Sequence, residues 1–144
     1  LARKLRERGW DDERPADTPA IVARFVAAGY IDDAAWARSK SGSLLRRGYG
    51  ERRISQALAR GGVADSIRED VRASDAATRA AALTMARKRG FGPFGKIAPD
   101  GPTREKQVAA LLRAGHRLDS ARELVNAASV AAAEDWAAQA EDGE

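Results

Sequence analysis

Residues 1–10 (LARKLRERGW), 54–63 (ISQALARGGV) and 107–116 (QVAALLRAGH) align without a gap. Their glycines, at 9, 62 and 115, are separated by 53 residues each time (62 − 9 and 115 − 62). Each stretch reads as the end of a helix. Leu1 and Leu5, then Ile54 and Leu58, form apolar i, i+4 pairs; in the third copy Val108 takes the place of Gln107. A glycine then stops the helix, because it enters the left-handed conformation without the penalty a Cβ would bring. Self-similarity at a fixed period marks a repeat architecture. Stacked helical repeats present long binding surfaces more often than enclosed pockets.

Working outward, the segments before these helices also pair. Residues 33–36 (DAAW) and 45–50 (LRRGYG) recur 42 residues later as 75–78 (DAAT) and 87–92 (RKRGFG). The unit is therefore long helix, middle helix, short helix. Loop lengths differ between copies, so the uniform 53 is partly coincidence. The pattern predicts a partial first repeat over 1–31, a second over 32–73, a third over 74–126 and an acidic C-terminal tail over 127–144. The chain starts at Leu1 inside a helical pattern, so a preceding segment is expected.

Ala, Arg, Leu and Glu dominate and β-branched runs are absent, which predicts an all-α protein. Thr18 with Pro19 reads as a helix start and Gly29 as its stop. Asp32 or Asp33 should open the next helix, with Trp36 in the core, and Gly48 should end it. Tyr49 and Phe91 follow helix-stopping glycines and are expected to pack inward. Asp65 to Ala73 reads as a short helix, Ser74 or Asp75 as the start of a long one. Thr103 reads as a cap, Leu118 as the start of a further helix. Beyond Ala128 the Ala-rich sequence either continues as helix or frays, with Trp136 docked or exposed. The predicted architecture is tandem three-helix repeats stacked into an elongated, curved array.

The chain has 144 residues and no cysteine, which excludes disulfides, thiolate metal sites and thiol catalysis. No apolar run approaches the roughly 20 residues of a membrane span, and no signal peptide is visible; a cytoplasmic protein is expected. Formal charge is +4. Residues 127–144 hold five acids and no Lys or Arg, leaving 25 basic against 16 acidic groups before them. A basic body with an acidic tail suits an acidic or polyanionic partner, and also simple solubility.

Three elements resemble the RecX family of bacterial recombination regulators. They are residues 29–33 (GYIDD) followed by 34–38 (AAWAR); residues 45–50 (LRRGYG) with Arg52, Arg53, Ile54 and Leu58; and the late helix with Lys106, Leu111, Leu112 and residues 113–116 (RAGH). The likeness runs in order from residue 1 to about 126. Trp36 stands where the family usually has Phe, residues 41–43 (SGS) soften a helix normally richer in basic residues, and His116 replaces Tyr or Phe. The resemblance implies a curved array of three-helix repeats lying in the groove of the RecA–single-stranded DNA filament. It implies a non-enzymatic regulator of recombination and DNA repair, linked to the SOS response, that restrains filament extension, ATP hydrolysis and strand exchange. It also implies weak direct DNA binding, and a monomer is expected.

The residues themselves give no catalytic, cofactor or metal site. His116 is the one histidine and follows a helix-stopping glycine, where it lacks the partners that catalysis or metal binding needs. Asp32 and Asp33 suit a helix start. The basic clusters carry more. Arg38, Lys40, Arg46, Arg47, Arg52 and Arg53 flank Tyr49, and Arg87, Lys88 and Arg89 precede Phe91 one unit on. Cations also suit a helix C-terminus through its dipole. Recurrence at the equivalent place favours a partner-binding role for these residues and Tyr49. Arginine's planar fork fits carboxylate and phosphate alike, so an acidic protein groove and DNA both stay open. The alternative function is a helix-turn-helix-like DNA-binding protein, since Arg46 to Arg53 span a helix, a Gly turn and a second helix.

Overall fold

The computed structural model describes residues 18–140, with side chains at 24 and 28–140. The copy of the repeat at residues 1–10, with Trp10, lies outside the described residues. Among the described residues seven α-helices and one 3-10 turn follow in order: α1 Thr18–Arg46, α2 Glu51–Arg60, α3 Asp65–Asp70, α4 Asp75–Arg89, a 3-10 turn Gly92–Phe94, α5 Gly101–Arg113, α6 Leu118–Val125 and α7 Val130–Ala138. No strand occurs among the described residues, so the expected all-α class holds.

The expected stop at Gly29 is absent, because α1 runs unbroken for 29 residues. Gly29 is not among the glycines with positive φ. A helical glycine costs about 1 kcal/mol relative to alanine, which the continuous helix on either side outweighs. Asp32 and Asp33 therefore lie inside α1 rather than at its start. The buried stripe on α1 is Ala34, Ala37, Ser41 and Leu44, a helical spacing whose three small residues let α2 and α3 approach closely. Trp36 corrects a second expectation: it is 46% exposed. Its ring edge rests on Gly61, where a Cβ would come within 2.6 Å. The indole covers the end of α2 instead of filling the core.

α2 buries Ile54 and Leu58, and α3 buries Ile67; with Val63 and with Ala34, Ala37 and Leu44 of α1 they form the first core. A second core joins Met85 of α4, Leu111 and Ala114 of the α5 end, and Ala121 and Val125 of α6. A third joins Ala82 and Ala86 of α4, Leu124 of α6 and Ala133 of α7. Tyr49 packs against the first and second cores, Phe91 against the second and third. The expected inward packing of both rings is observed, and each ring ties two cores together.

One turn geometry recurs. The N–H of Tyr49 donates to Leu44 O (3.0 Å), of Val63 to Leu58 O (3.0 Å), of Phe91 to Ala86 O (2.9 Å) and of His116 to Leu111 O (3.1 Å). The residue before each is a glycine with positive φ: Gly48, Gly62, Gly90 and Gly115. This is the Schellman-type helix end, in which the residue after the glycine turns back onto the last helical turn.

The cap of α5 differs from the sequence reading, and at the C-terminus one of the two readings left open is observed. Asp100, not Thr103, caps α5 by accepting from the Thr103 N–H at 2.8 Å. Hydrogen bonding from the Thr103 side chain, and then from its N–H, holds the Asp100 carboxyl below the usual carboxylate range. The acid-bearing C-terminal segment folds back as α7, capped by Ser129. Trp136 docks: the Arg79 guanidinium lies 4.7 Å from its ring centroid and donates to its carbonyl oxygen at 2.8 Å.

Candidate functional site

The end of α1 and the start of α2 bring several of the singled-out residues together. Arg46 occupies the last turn of α1, Arg47 the turn itself, and Arg52 and Arg53 the first turn of α2. Between them Gly48, at φ 94°, reverses the chain. The Tyr49 ring is half-buried, and two guanidinium carbons flank it, Arg47 Cζ at 5.3 Å and Arg53 Cζ at 5.0 Å from the centroid. Such contacts contribute about 0.5–1 kcal/mol each at exposed sites and orient the cations. Arg46, Arg47, Arg52 and Arg53 are all exposed. Among the described residues no carboxylate pairs with any of them. Unpaired guanidinium forks held around a ring are suited to carboxylate or phosphate oxygens.

The turn is braced from the second core. The Gly50 N–H donates to Ala114 O at 2.8 Å and the Arg52 N–H to Gly115 O at 3.2 Å. A Cβ on Gly50 would sit 2.5 Å from Gly115 C, and one on Gly115 would sit 2.4 Å from Arg53 N. Only two glycines permit this approach. His116 is buried, at 3% exposure. Its Nε2 lies 2.8 Å from Gly48 O; a carbonyl only accepts, so Nε2 carries the proton. Nδ1 has no partner. Burial pushes the imidazole below its ordinary value, against a smaller opposing effect of the Gly48 bond. The histidine thus stands as a neutral brace beneath the turn.

The remaining residues are placed differently. Arg38 lies on the exposed side of α1, near Tyr30, whose hydroxyl donates to Asp70 Oδ2 at 2.8 Å. Lys40 is half-buried on α1. On α4, Arg87, Lys88 and Arg89 are exposed. Arg87 stacks on Phe94, at 5.4 Å, rather than Phe91, and pairs with Glu134 at 3.1 Å. The two basic clusters are therefore unequal, since a carboxylate of α7 already engages the second. The sequence offered no sign of that pairing, because Glu134 is 47 residues from Arg87.

Sequence reading missed an open groove of roughly 620 Å³ beside the turn, lined by Arg52, Ser55 and Ala59 of α2 and by Leu112, Arg117 and Leu118 of the α5–α6 junction. Among the described residues no group of His, Cys, Asp or Glu side chains converges as a metal site. Among them, too, no helix is long and apolar enough to cross a membrane.

Comparison with known proteins finds several named Regulatory protein RecX. The one from Agrobacterium fabrum is 35% identical over 121 residues, covering 80% of this chain and 64% of the relative. Those from Halorhodospira halophila (31% over 135 residues, 94% and 78%) and Vibrio parahaemolyticus (30% over 119 residues, 83% and 74%) are covered more fully. The chain spans 64% and 65% of the length of the Agrobacterium fabrum and Myxococcus xanthus relatives. No family model matches. No solved structure matches either.

Proposed function

The chain belongs to the RecX family of regulatory proteins, and from that premise we propose that it regulates RecA by binding the RecA–single-stranded DNA filament. It lies in the filament groove as a non-enzymatic cytoplasmic monomer, restraining filament extension, ATP hydrolysis and strand exchange in recombination and DNA repair. The observation that carries this reading is the Arg47–Tyr49–Arg53 turn with Arg46 and Arg52 beside it, a cationic surface that no described carboxylate neutralises.

The two units, 32–73 and 74–126, stack as repeats of one curved array, which the recurrence of the glycine-and-inward-residue turn supports. An extended array touches several filament subunits at once, so modest contacts add as avidity. A positive surface steers encounter with acidic side chains and phosphates, and that attraction weakens with salt. Restraint follows when bound protein blocks subunit addition or favours one filament conformation over another. The site on this reading comprises Arg38, Lys40, Arg46, Arg47, Tyr49, Arg52 and Arg53, with Arg87, Lys88 and Arg89 one unit on.

To test it, the protein is added to RecA on single-stranded DNA while ATP turnover and strand exchange are followed. Dose-dependent inhibition that fades with salt is expected. No inhibition at micromolar protein and low salt removes the reading. A helix-turn-helix function predicts instead tight, sequence-selective gel shifts without RecA. The α2 surface argues against it: Ile54 and Leu58 are buried, leaving Ser55 and Gln56 as the polar side chains between them for reading bases.

A further inference from the structure

The groove between α2 and the α5–α6 junction has a chemistry that the cationic turn lacks. Leu112 and Leu118 are 36% and 42% exposed, and both line it. Their exposure has a local cause. Leu111 takes the core position at the end of α5, Gly115 reverses the chain, and α6 turns Ala121, Leu124 and Val125 inward. The two leucines are left on the outer side of the reversal, facing α2. There α2 presents Ser55 and Ala59, small side chains that keep the groove open, with Gln56 as a further polar side chain in its lining. Arg52 and Arg117 stand at its edges, Arg117 with Asp119 at 3.4 Å and Arg52 with no described carboxylate. The acid among its lining residues, Glu51, is held by Arg72 at 2.5 Å. The groove is thus apolar along its wall and cationic at its rim, and Arg52 joins it to the turn described above.

We propose that this groove seats a protein segment carrying an apolar side chain flanked by carboxylates, on the protein component of the filament rather than its DNA; this rests on the RecA reading. A single strand would meet Arg52 and Arg117 through phosphates, and single-strand sites also stack bases on aromatic side chains. The one ring in the groove wall, His116, is buried. Leucine side chains beside paired arginines suit an apolar anchor with an acidic rim, the arrangement by which a few residues dominate a protein interface.

Two variants test it, the double Leu112→Asn/Leu118→Asn and the single Ser55→Trp, which fills the groove from the exposed face of α2. Affinity is read by co-sedimentation with RecA–single-stranded DNA filaments, and retention on heparin reports the general polyanion response. Each variant is expected to bind filaments at least about tenfold more weakly while heparin retention changes by less than about twofold. Filament affinity unchanged in both variants, or an equal loss on heparin, overturns the groove. So does a concentration-dependent dimer of the unsubstituted chain that the variants abolish, since the occupant is then a second copy. Failure of the unsubstituted chain to bind filaments at all removes the RecA reading itself.

Discussion

His116 Nε2 donates to the carbonyl oxygen of Gly48 across 68 residues of chain, joining the end of α5 to the turn between α1 and α2. Only the neutral imidazole fits there. Protonation would place a second N–H at Nδ1, which is buried and has no acceptor, so burial holds the folded-state value below the ordinary 6.5. The unfolded chain then binds the extra proton more readily. Stability from this group is fully present above about pH 6.5 and is lost as pH falls below it, with a limiting slope of about 1.4 kcal/mol per pH unit for one proton. Urea melts between pH 8 and 5 should reveal that fall, and His116→Phe should lack the part due to this group. An identical pH profile in the variant contradicts the assignment.

The approach of Gly50 to Gly115 sets a second expectation. Gly115→Ala meets Arg53 N at 2.4 Å and must hold φ near 100°. A side chain is disfavoured at that φ by about 1 kcal/mol, and the clash adds more, for a loss of at least about 2 kcal/mol. Gly101→Ala, where nothing beyond its chain neighbours lies within 4 Å, should lose less in the same melts, its strain being limited to that of a helical residue before Pro102. Equal effects at the two positions would contradict the close approach.

Tyr49 packs on two cores and carries two guanidiniums, so its substitutions should separate packing from charge. Tyr49→Phe keeps the ring, and less than about 1 kcal/mol should be lost. Tyr49→Ala removes a half-buried ring, and about 2–3 kcal/mol should be lost, with filament binding weakened beyond the loss of folded protein. Equal stability of the two variants by denaturant midpoint would mean that the ring bridges nothing.

These turns also mark how far sequence alone reaches. The glycine ends at 48, 62, 90 and 115 were legible because positive φ selects glycine and the next residue must fold inward. The apolar residues of α2 and α6 were legible from their i, i+4 and i, i+3 spacing. Gly29 misled because a glycine marks a helix end only when tertiary packing agrees, and α1 continues past it. Trp36 misled because its place depends on Gly61, a contact between helices that no local pattern encodes. In the site, the cluster of cations was legible from spacing, whereas the Glu134 partner of Arg87 and the Leu112–Leu118 groove arise from chain reversals far apart in sequence.

At the C-terminus, α7 is held by apolar contact more than by charge. The Arg87–Glu134 pair is half-exposed on both sides, so Glu134→Gln should change stability by less than about 0.5 kcal/mol. Trp136→Ala removes the stack with Arg79 and apolar contact with the third core, and a loss of about 2–3 kcal/mol is expected in denaturant melts. A greater loss from Glu134→Gln than from Trp136→Ala would reverse this ranking.

The measurement closest to the central claim is RecA ATP turnover on single-stranded DNA with the fourfold charge reversal Arg46→Glu, Arg47→Glu, Arg52→Glu and Arg53→Glu. These side chains are exposed, so the folded state should persist by circular dichroism while inhibition falls by at least about tenfold relative to the unsubstituted protein. A folded variant that inhibits as strongly as before would contradict the account and place the binding surface elsewhere on the molecule.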